Sequence, residues 1–418
     1  MASVGRFREQ MLTYLTVGAE LEHALCCQYL FAAFSLKRSV QEGLSWAELE
    51  TVREWTAALL LVARQEMEHL GYVCNLMTAL GGTPYLERAS FPYAQGYWPT
   101  HLRFELKPFS VESLTTFVEY ERPQGVRDEF SRPVERFPHP PSASQRFTDM
   151  PMEFEAVGDL YAQILRRLES CPYADEVLFV GPRRAQIDNE LLGNDRRGYA
   201  GVNVNPVVDR ASALAAVAQI IEEGEGATAV CPTGHYQIFL DILRDLASRP
   251  AGFAPARPVA DNPCVRPAAL AGGAQVISDP FTARLADLFD GCYELMLSML
   301  YRFSIQSEES PQEMAFLQRM TFFPLMTQVI RPLGELLTEL PMGPDHPGLN
   351  AGPTFERPRL ALVSSHHQGA WTMIRERFQD LSLSCQALAD RRSDLERLQL
   401  LAQVLRRLSM LCQGVGAC

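Results

Sequence analysis

Apolar residues recur every three or four positions through most of this chain, which is the spacing of one face of a helix. In several of these apolar stripes, an ionisable side chain occupies a position that should be buried. Glu66 and His69 do so within the helix predicted at 46–80, and Glu22 does so within the helix predicted at 6–38. Because an unpaired carboxylate is costly to bury, these positions predict a compensating group in the core.

The rest of the chain continues this helical organisation. Further helices are predicted at 152–169, from Asp209, again from Thr233, and at 281–306, 311–340 and 367–410; a short helix at 111–120 lies within a long irregular connection. No alternation of apolar and polar residues is long enough to predict a useful strand. We therefore predict an all-α protein. Residues 1–250 form a helical bundle, 251–280 a linker, and 281–418 a C-terminal helical portion packed on the bundle.

The spacing of Glu66 and His69 places them on the same helix face, one turn apart. Glu-x-x-His on a bundle helix is a ligand pattern of dimetal sites, whereas an isolated example is more often a satisfied core histidine beside a solvated glutamate. A second acid–histidine combination follows in the fourth helix. Glu225 continues the apolar stripe, and His235 takes up a core position after an interruption.

A regular helix would separate Glu225 from His235 by about 15 Å, too far for both to bind one ion. If both are ligands, the helix must break, and Gly224, Gly226 and Pro232 allow it to do so. The prediction is a split Glu–His pair joined through a bulged or unwound turn. The alternative is that Glu222 supplies the acid and His235 only packs.

Charge and cysteine content limit the other functions. The net charge of −12 argues against a nucleic-acid partner and against an anionic membrane surface, and no apolar run is long enough for a membrane span. The ten cysteines include no Cys-x-x-Cys pair, so a zinc ribbon or an iron–sulfur motif is not predicted. Without a recognisable signal peptide, we expect a reduced, cytoplasmic protein.

Several motifs occur in the order found in a known family. The segments are 22–30 (EHALCCQYL), 65–70 (QEMEHL), 81–84 (GGTP), 157–161 (VGDLY), 222–226 (EEGEG) with 234–236 (GHY), 331–333 (RPL) and 351–356 (AGPTFE). Together they resemble the ferritin-like domain of the iminophenyl-pyruvate dimer synthase of violacein biosynthesis. The resemblance covers roughly residues 10–357. It implies a ferritin-like four-helix bundle with long loop insertions, additional C-terminal helices and an iron-type dimetal site in secondary metabolism.

The expected metal ligands are Glu22, Glu66, His69, Asp159, Glu225 and His235, with Tyr29 as a candidate catalytic residue. Carboxylates and imidazoles suit two non-haem iron ions, with manganese as the other candidate. The first functional hypothesis is an oxidoreductase that uses O2 or peroxide on a small amino-acid-derived imine or amine. The second is a non-catalytic metal-binding or scaffold protein that delivers an intermediate to a partner biosynthetic enzyme. A homodimer is a further expected assembly.

Overall fold

A computed structural model describes residues 3–94, 103–131, 154, 156–189, 203–226, 234–266, 273–305, 308–356 and 366–413. The chain divides into two compact units. The first comprises Met1–Gln186 with Val204–Ala256, and the second comprises Ile187–Asn203 with Arg257–Cys418. The predicted linker at 251–280 contains residues of both units. The predicted packing of the C-terminal helices on the bundle stays a prediction.

The described residues are predominantly helical, which confirms the all-α prediction. Their paired strands are two residues long: β1 (Tyr93–Ala94) is antiparallel to β2 (Arg103–Phe104), and β3 (Pro263–Cys264) is parallel to β4 (Gln275–Val276). None of the described helices combines the length and the apolarity needed to cross a membrane.

Two long helices, α1 (Val4–Ser35) and α2 (Trp46–Ala79), pack against each other as a hairpin. A capping box fixes the start of α2. The Glu48 amide donates to Ser45 Oγ at 3.3 Å, and the Ser45 amide donates to Glu48 Oε2 at 2.7 Å. The cap satisfies backbone amides in the first turn, and the apolar stripe along α2 sets which residues face the interior.

The other half of the bundle is built from interrupted helices. Its elements are α3 (Val111–Glu121), α4 (Val157–Glu169), the short α5 (Asp175–Leu178), α6 (Arg210–Ile221), a π-helical segment (Glu222–Gly226) and α7 (His235–Ser248); single 3-10 turns occur at Val40–Glu42 and Arg183–Ala185. Helix α3 packs on α7, and α4 packs on α6. This pairing order is that of two antiparallel helices that are each interrupted: α3 and α4 correspond to one, and α6 and α7 to the other. The predicted helix start at 152 is wrong: α4 begins at Val157, because Ala156 has the extended backbone of an N-cap and Phe154 is not helical.

The second unit contains α8 (Pro280–Ile305), α9 (Pro311–Met320), a π-helical segment (Thr321–Ile330), α10 (Arg331–Leu337), α11 (His367–Arg391) and α12 (Glu396–Gln413). The helix predicted at 311–340 is thus three segments. Pro324 lies inside the π-helical one, where it cannot donate a backbone hydrogen bond. The region predicted at 367–410 is two helices that pack on each other.

An aromatic cluster joins α1, α3 and α7 in the first unit. The Phe239 ring is fully buried, with its centroid 4.8 Å from that of Tyr29 and 5.3 Å from that of Phe117. Rings at these distances combine a large buried apolar area with favourable tilted contacts. The cluster therefore holds α3 and α7 against α1.

We expect Phe239→Ala to lower the free energy of unfolding by about 3–5 kcal/mol, because it leaves a cavity between three helices. Chemical denaturation followed by circular dichroism measures the change. Leu61→Ala is the control, since Leu61 is 41% exposed on α2, and its effect should stay within about 0.5 kcal/mol. Equal effects of the two substitutions would contradict the packing role of Phe239.

Candidate metal centre

Five buried ionisable side chains from four helices converge inside the first unit. Glu22 comes from α1, Glu66 and His69 from α2, Glu121 from α3 and His235 from α7. They form two groups, Glu22–Glu66–His69 and Glu66–Glu121–His235, and within each group one ligand atom per residue lies within 4.8 Å of the others. Glu66 belongs to both groups, so two adjacent candidate metal positions share one carboxylate.

Both histidines turn Nδ1 toward the carboxylates. His69 Nδ1 lies 3.5 Å from Glu22 Oε2 and 3.8 Å from Glu66 Oε2. His235 Nδ1 lies 2.8 Å from Glu66 Oε1 and 3.7 Å from Glu121 Oε2. The two imidazole rings are stacked, with centroids 5.4 Å apart. Each histidine thus faces the shared carboxylate and one carboxylate of its own group.

Each unshared carboxylate accepts a hydrogen bond from a buried tyrosine. Tyr161 of α4 donates its hydroxyl to Glu22 Oε1, and Tyr29 of α1 donates its hydroxyl to Glu121 Oε1 at 2.5 Å. These bonds occupy one oxygen of each carboxylate and fix its orientation. Tyr29, the candidate catalytic residue, thus touches a carboxylate of the second group.

Burial and the neighbouring charges shift the pKa values of the group. Burial and the neighbouring Glu66 carboxylate raise the pKa of Glu22 to about 8. Burial also disfavours the charged forms of Glu66 and His235, but their mutual attraction outweighs it. This attraction lowers the pKa of Glu66 well below its usual range and raises the pKa of His235 to about 9. Protons therefore balance the charge where no cation does.

Two buried atoms of the centre fit a metal ion. Glu66 Oε1 and His235 Nδ1 form an ion pair at 2.8 Å, yet among the described residues neither is aligned with a hydrogen-bond partner. Carboxylate oxygen and imidazole nitrogen are both transition-metal ligands, so an ion bound here would satisfy both atoms. The carboxylate-rich composition suits iron or manganese.

A narrow cavity reaches this centre. Leu25, Val157, Tyr161 and Ile220 give it an apolar wall, while Gly158 and Gly224 add no side chain beyond hydrogen. Both glycines lie beside breaks in the bundle helices, at the start of α4 and within the first π-helical segment. The apolar wall limits access of water to the ionisable groups.

Four of the six predicted ligands, Glu22, Glu66, His69 and His235, lie together in these groups. Asp159 does not: its carboxylate accepts from the Ala156 amide at 3.0 Å, in the first turn of α4. Asp159 is the N3 residue of α4, and its side chain caps the backbone amide of the N-cap residue Ala156. As a metal ligand, Asp159 stays a prediction.

The predicted interruption before His235 is present. Helix α6 ends at Ile221, the π-helical segment follows, and α7 begins at His235 with Gly234 as its extended N-cap. Glu225 belongs to the π-helical segment, but its side chain lies outside what the structure describes. Glu222, the alternative acid, is in neither group. The split Glu225–His235 pair therefore stays a prediction.

Sequence analysis missed Glu121. Leu114, Phe117 and Val118 precede it at seven, four and three positions, so Glu121 continues the apolar stripe of α3. This is the same signal that identified Glu22 and Glu66. It was overlooked because α3 is short and lies inside a region of irregular pattern.

The chain belongs to the ferritin-like family, whose sequence model matches residues 15–244. This match confirms the family indicated by the motifs. Among curated proteins, the chain is 27% identical to the 2-imino-3-(indol-3-yl)propanoate dimerase of Chromobacterium violaceum, over 92% of this chain and 36% of the relative. It is also 27% identical to the dichlorochromopyrrolate synthase of Lentzea aerocolonigenes, over 91% of this chain and 39% of the relative.

The chain thus spans less than two fifths of the length of the curated relatives it matches. Among solved structures, it is similar to a ferritin-like protein from Caulobacter vibrioides, with a TM-score of 0.45 and 17% identity. That alignment covers 74% of this chain and 94% of the other.

We expect the metal-free protein to lose stability as pH rises from 6.5 to 9. The folded pKa values of Glu22 and His235, about 8 and about 9, exceed those of the unfolded chain, about 4.5 and 6.5. The folded state therefore holds more protons in this window, and the free energy of unfolding falls with pH. The depressed pKa of Glu66 acts in the opposite sense only below about pH 4.5.

Denaturation of metal-free protein across this range measures the slope, and Glu22→Gln should make it shallower. A flat or rising profile in the metal-free wild type would contradict the assignment. Glu50→Gln, which changes an exposed acid of α2, is the control and should leave the slope unchanged.

Proposed function

We propose that this chain is a non-haem di-iron oxidoreductase of secondary metabolism. It takes electrons from a small amino-acid-derived imine or amine and passes them to dioxygen or peroxide. The observation that carries the proposal is the pair of buried carboxylate–histidine groups sharing Glu66. Carboxylate-rich sites of this kind, built on facing bundle helices, hold di-iron and di-manganese centres in ferritin-like proteins.

The ligand set we propose from the described residues is Glu22, Glu66, His69, Glu121 and His235. When bound, two iron ions supply the redox chemistry that no protein side chain offers. Glu66 belongs to both groups; Glu22 and His69 would hold one ion with it, and Glu121 and His235 would hold the other. Manganese is the second metal that this donor set suits.

The protein's own contribution is orientation, exclusion of water and proton placement. The hydroxyls of Tyr161 and Tyr29 hold Glu22 and Glu121 in place. These hydroxyls are also the nearest described proton donors to the two unshared carboxylates. The apolar wall of the cavity keeps bulk water from the reacting groups.

The substrate class rests on the relatives. The Chromobacterium violaceum protein is named as a dimerase of an indole-bearing imino acid, and the Lentzea aerocolonigenes protein as a synthase of dichlorochromopyrrolate. An imino acid derived from an aromatic amino acid is therefore the first substrate to test. Such an imine can be generated in place from the 2-oxo acid and ammonia.

Protein produced in iron-supplemented medium should contain about two metal ions per chain, and Glu66→Ala combined with His69→Ala should lose them. Elemental analysis measures this. Glu68→Gln is the matched control: Glu68 is a buried acid of the same helix, 3.4 Å from Arg64 and in neither group. The control should keep the metal. Wild-type protein that contains no metal and takes up none would refute the proposed site.

Catalysis is tested separately, by following oxygen or peroxide consumption with the imine and analysing the product by mass. The loaded wild type should consume oxidant in proportion to imine, and the Glu66→Ala/His69→Ala protein should not. Metal binding without any turnover would refute the catalytic part of the proposal.

That last outcome would favour the second hypothesis, a metal-binding partner that hands an intermediate to another biosynthetic enzyme. The curated relatives match this chain over less than two fifths of their own length, so the activities in their names are those of longer proteins. Addition of a candidate partner enzyme should then produce turnover that neither protein shows alone.

A further inference from the structure

The two histidines of the centre have different partners on the nitrogen that faces away from the shared carboxylate. His69 Nε2 lies 3.0 Å from Glu223 Oε2, a carboxylate oxygen. His235 Nε2 lies 3.3 Å from Gln65 Oε1, an amide oxygen. The two outer contacts therefore differ in charge.

On the side facing the shared carboxylate, the described residues give the two positions the same set of residue types. Each has the shared Glu66, one histidine through Nδ1, and one private carboxylate that accepts from a tyrosine hydroxyl. Among the described residues, the acid or amide behind each histidine is thus the clearest chemical difference between them.

Glu223 is held in place by a chain of hydrogen bonds. Gln219 Nε2 donates to Glu223 Oε1 at 3.1 Å, and the Tyr72 hydroxyl donates to Gln219 Oε1 at 2.9 Å. Tyr72 lies on α2 one turn beyond His69, so the chain returns to the helix that carries the histidine. Glu223 is therefore a fixed acceptor for the Nε2 proton of His69.

A carboxylate that accepts from the outer nitrogen of an imidazole fixes the ring tautomer and makes the inner nitrogen a stronger electron donor. A glutamine does this more weakly, because its amide is neutral. It can also turn to offer its NH2 group instead, so it selects one tautomer less strictly.

We propose that the two positions bind metal with unequal affinity; this rests on the dimetal site proposed above. The Glu22–Glu66–His69 position binds a divalent ion more tightly than the Glu66–Glu121–His235 position. Glu223 is the positioning residue that sets the difference, acting through His69 without binding the ion.

The test is a titration of the metal-free full-length chain with Co²⁺, followed by visible absorption and by competition with a chromophoric chelator. The wild type should bind two ions in two steps whose affinities differ by about 10–100-fold, the usual effect of an outer partner on a metal-bound histidine. His69→Ala should remove the tight step, and His235→Ala the weak one.

Substitutions of the outer partners then test whether Glu223 itself causes the higher affinity of the first position. Glu223→Gln should weaken the tight step by about 10–100-fold and bring it close to the weak one. Gln65→Glu should strengthen the weak step. Gln219→Leu, which removes the anchor of Glu223 but keeps its charge, should weaken the tight step in the same direction and by less. Glu222→Gln removes the same charge one residue away, at a side chain in neither group, and should change neither step.

Circular dichroism and thermal unfolding of each variant establish that it is folded before titration. Two equal steps in the wild type, or a Glu223→Gln protein with an unchanged tight step, would overturn the inference while leaving the dimetal site intact. An equal loss from Glu222→Gln would also overturn it, because the effect would then be one of net charge. Failure of the wild type to bind Co²⁺ at all would instead overturn the proposed metal site.

Discussion

The interior of the first unit is organised around Glu66, a carboxylate buried among two other carboxylates and two imidazoles. Like charges at this separation, away from water, cannot all persist without cations or protons between them. In the metal-free chain, the protons held by Glu22 and His235 offset part of this repulsion. A pair of metal ions would offset it without protons, and the hydrogen bonds of Tyr161, Tyr29 and Glu223 hold the surrounding groups in orientations suited to that state.

The interrupted second half of the bundle follows from the same constraint. Helices α1 and α2 run past the centre without a break, and their register alone places Glu22, Glu66 and His69. On the opposite side, Glu121 is the last residue of α3, and His235 is the first residue of α7. Two helix ends thus carry the carboxylate and the imidazole that continuous helices would otherwise carry in their middle turns.

Most of the fold and more than half of the centre could be predicted from the sequence. A long regular helix has an apolar pattern that repeats over many turns, so an acid within the apolar stripe of α1 or α2 is easily recognised. Glu121 carried the same signal, but over only three turns, and the surrounding irregular sequence obscured it. Asp159 was suggested by motif resemblance, which identifies a segment without saying whether its acid points inward or caps the helix. The hydrogen-bond partners of the histidines, Glu223 and Gln65, could not be predicted, because their contacts depend on side-chain directions across helices.

The break between α3 and α4 has a consequence for how this scaffold can diversify. Helix α3 ends at Glu121 and α4 begins at Val157, and both residues line the cavity at the centre. The segment between them is therefore attached to the centre at both of its ends, whatever its length. Exchange of that segment can change what reaches the centre, while the hairpin of α1 and α2 that carries Glu22, Glu66 and His69 keeps its register.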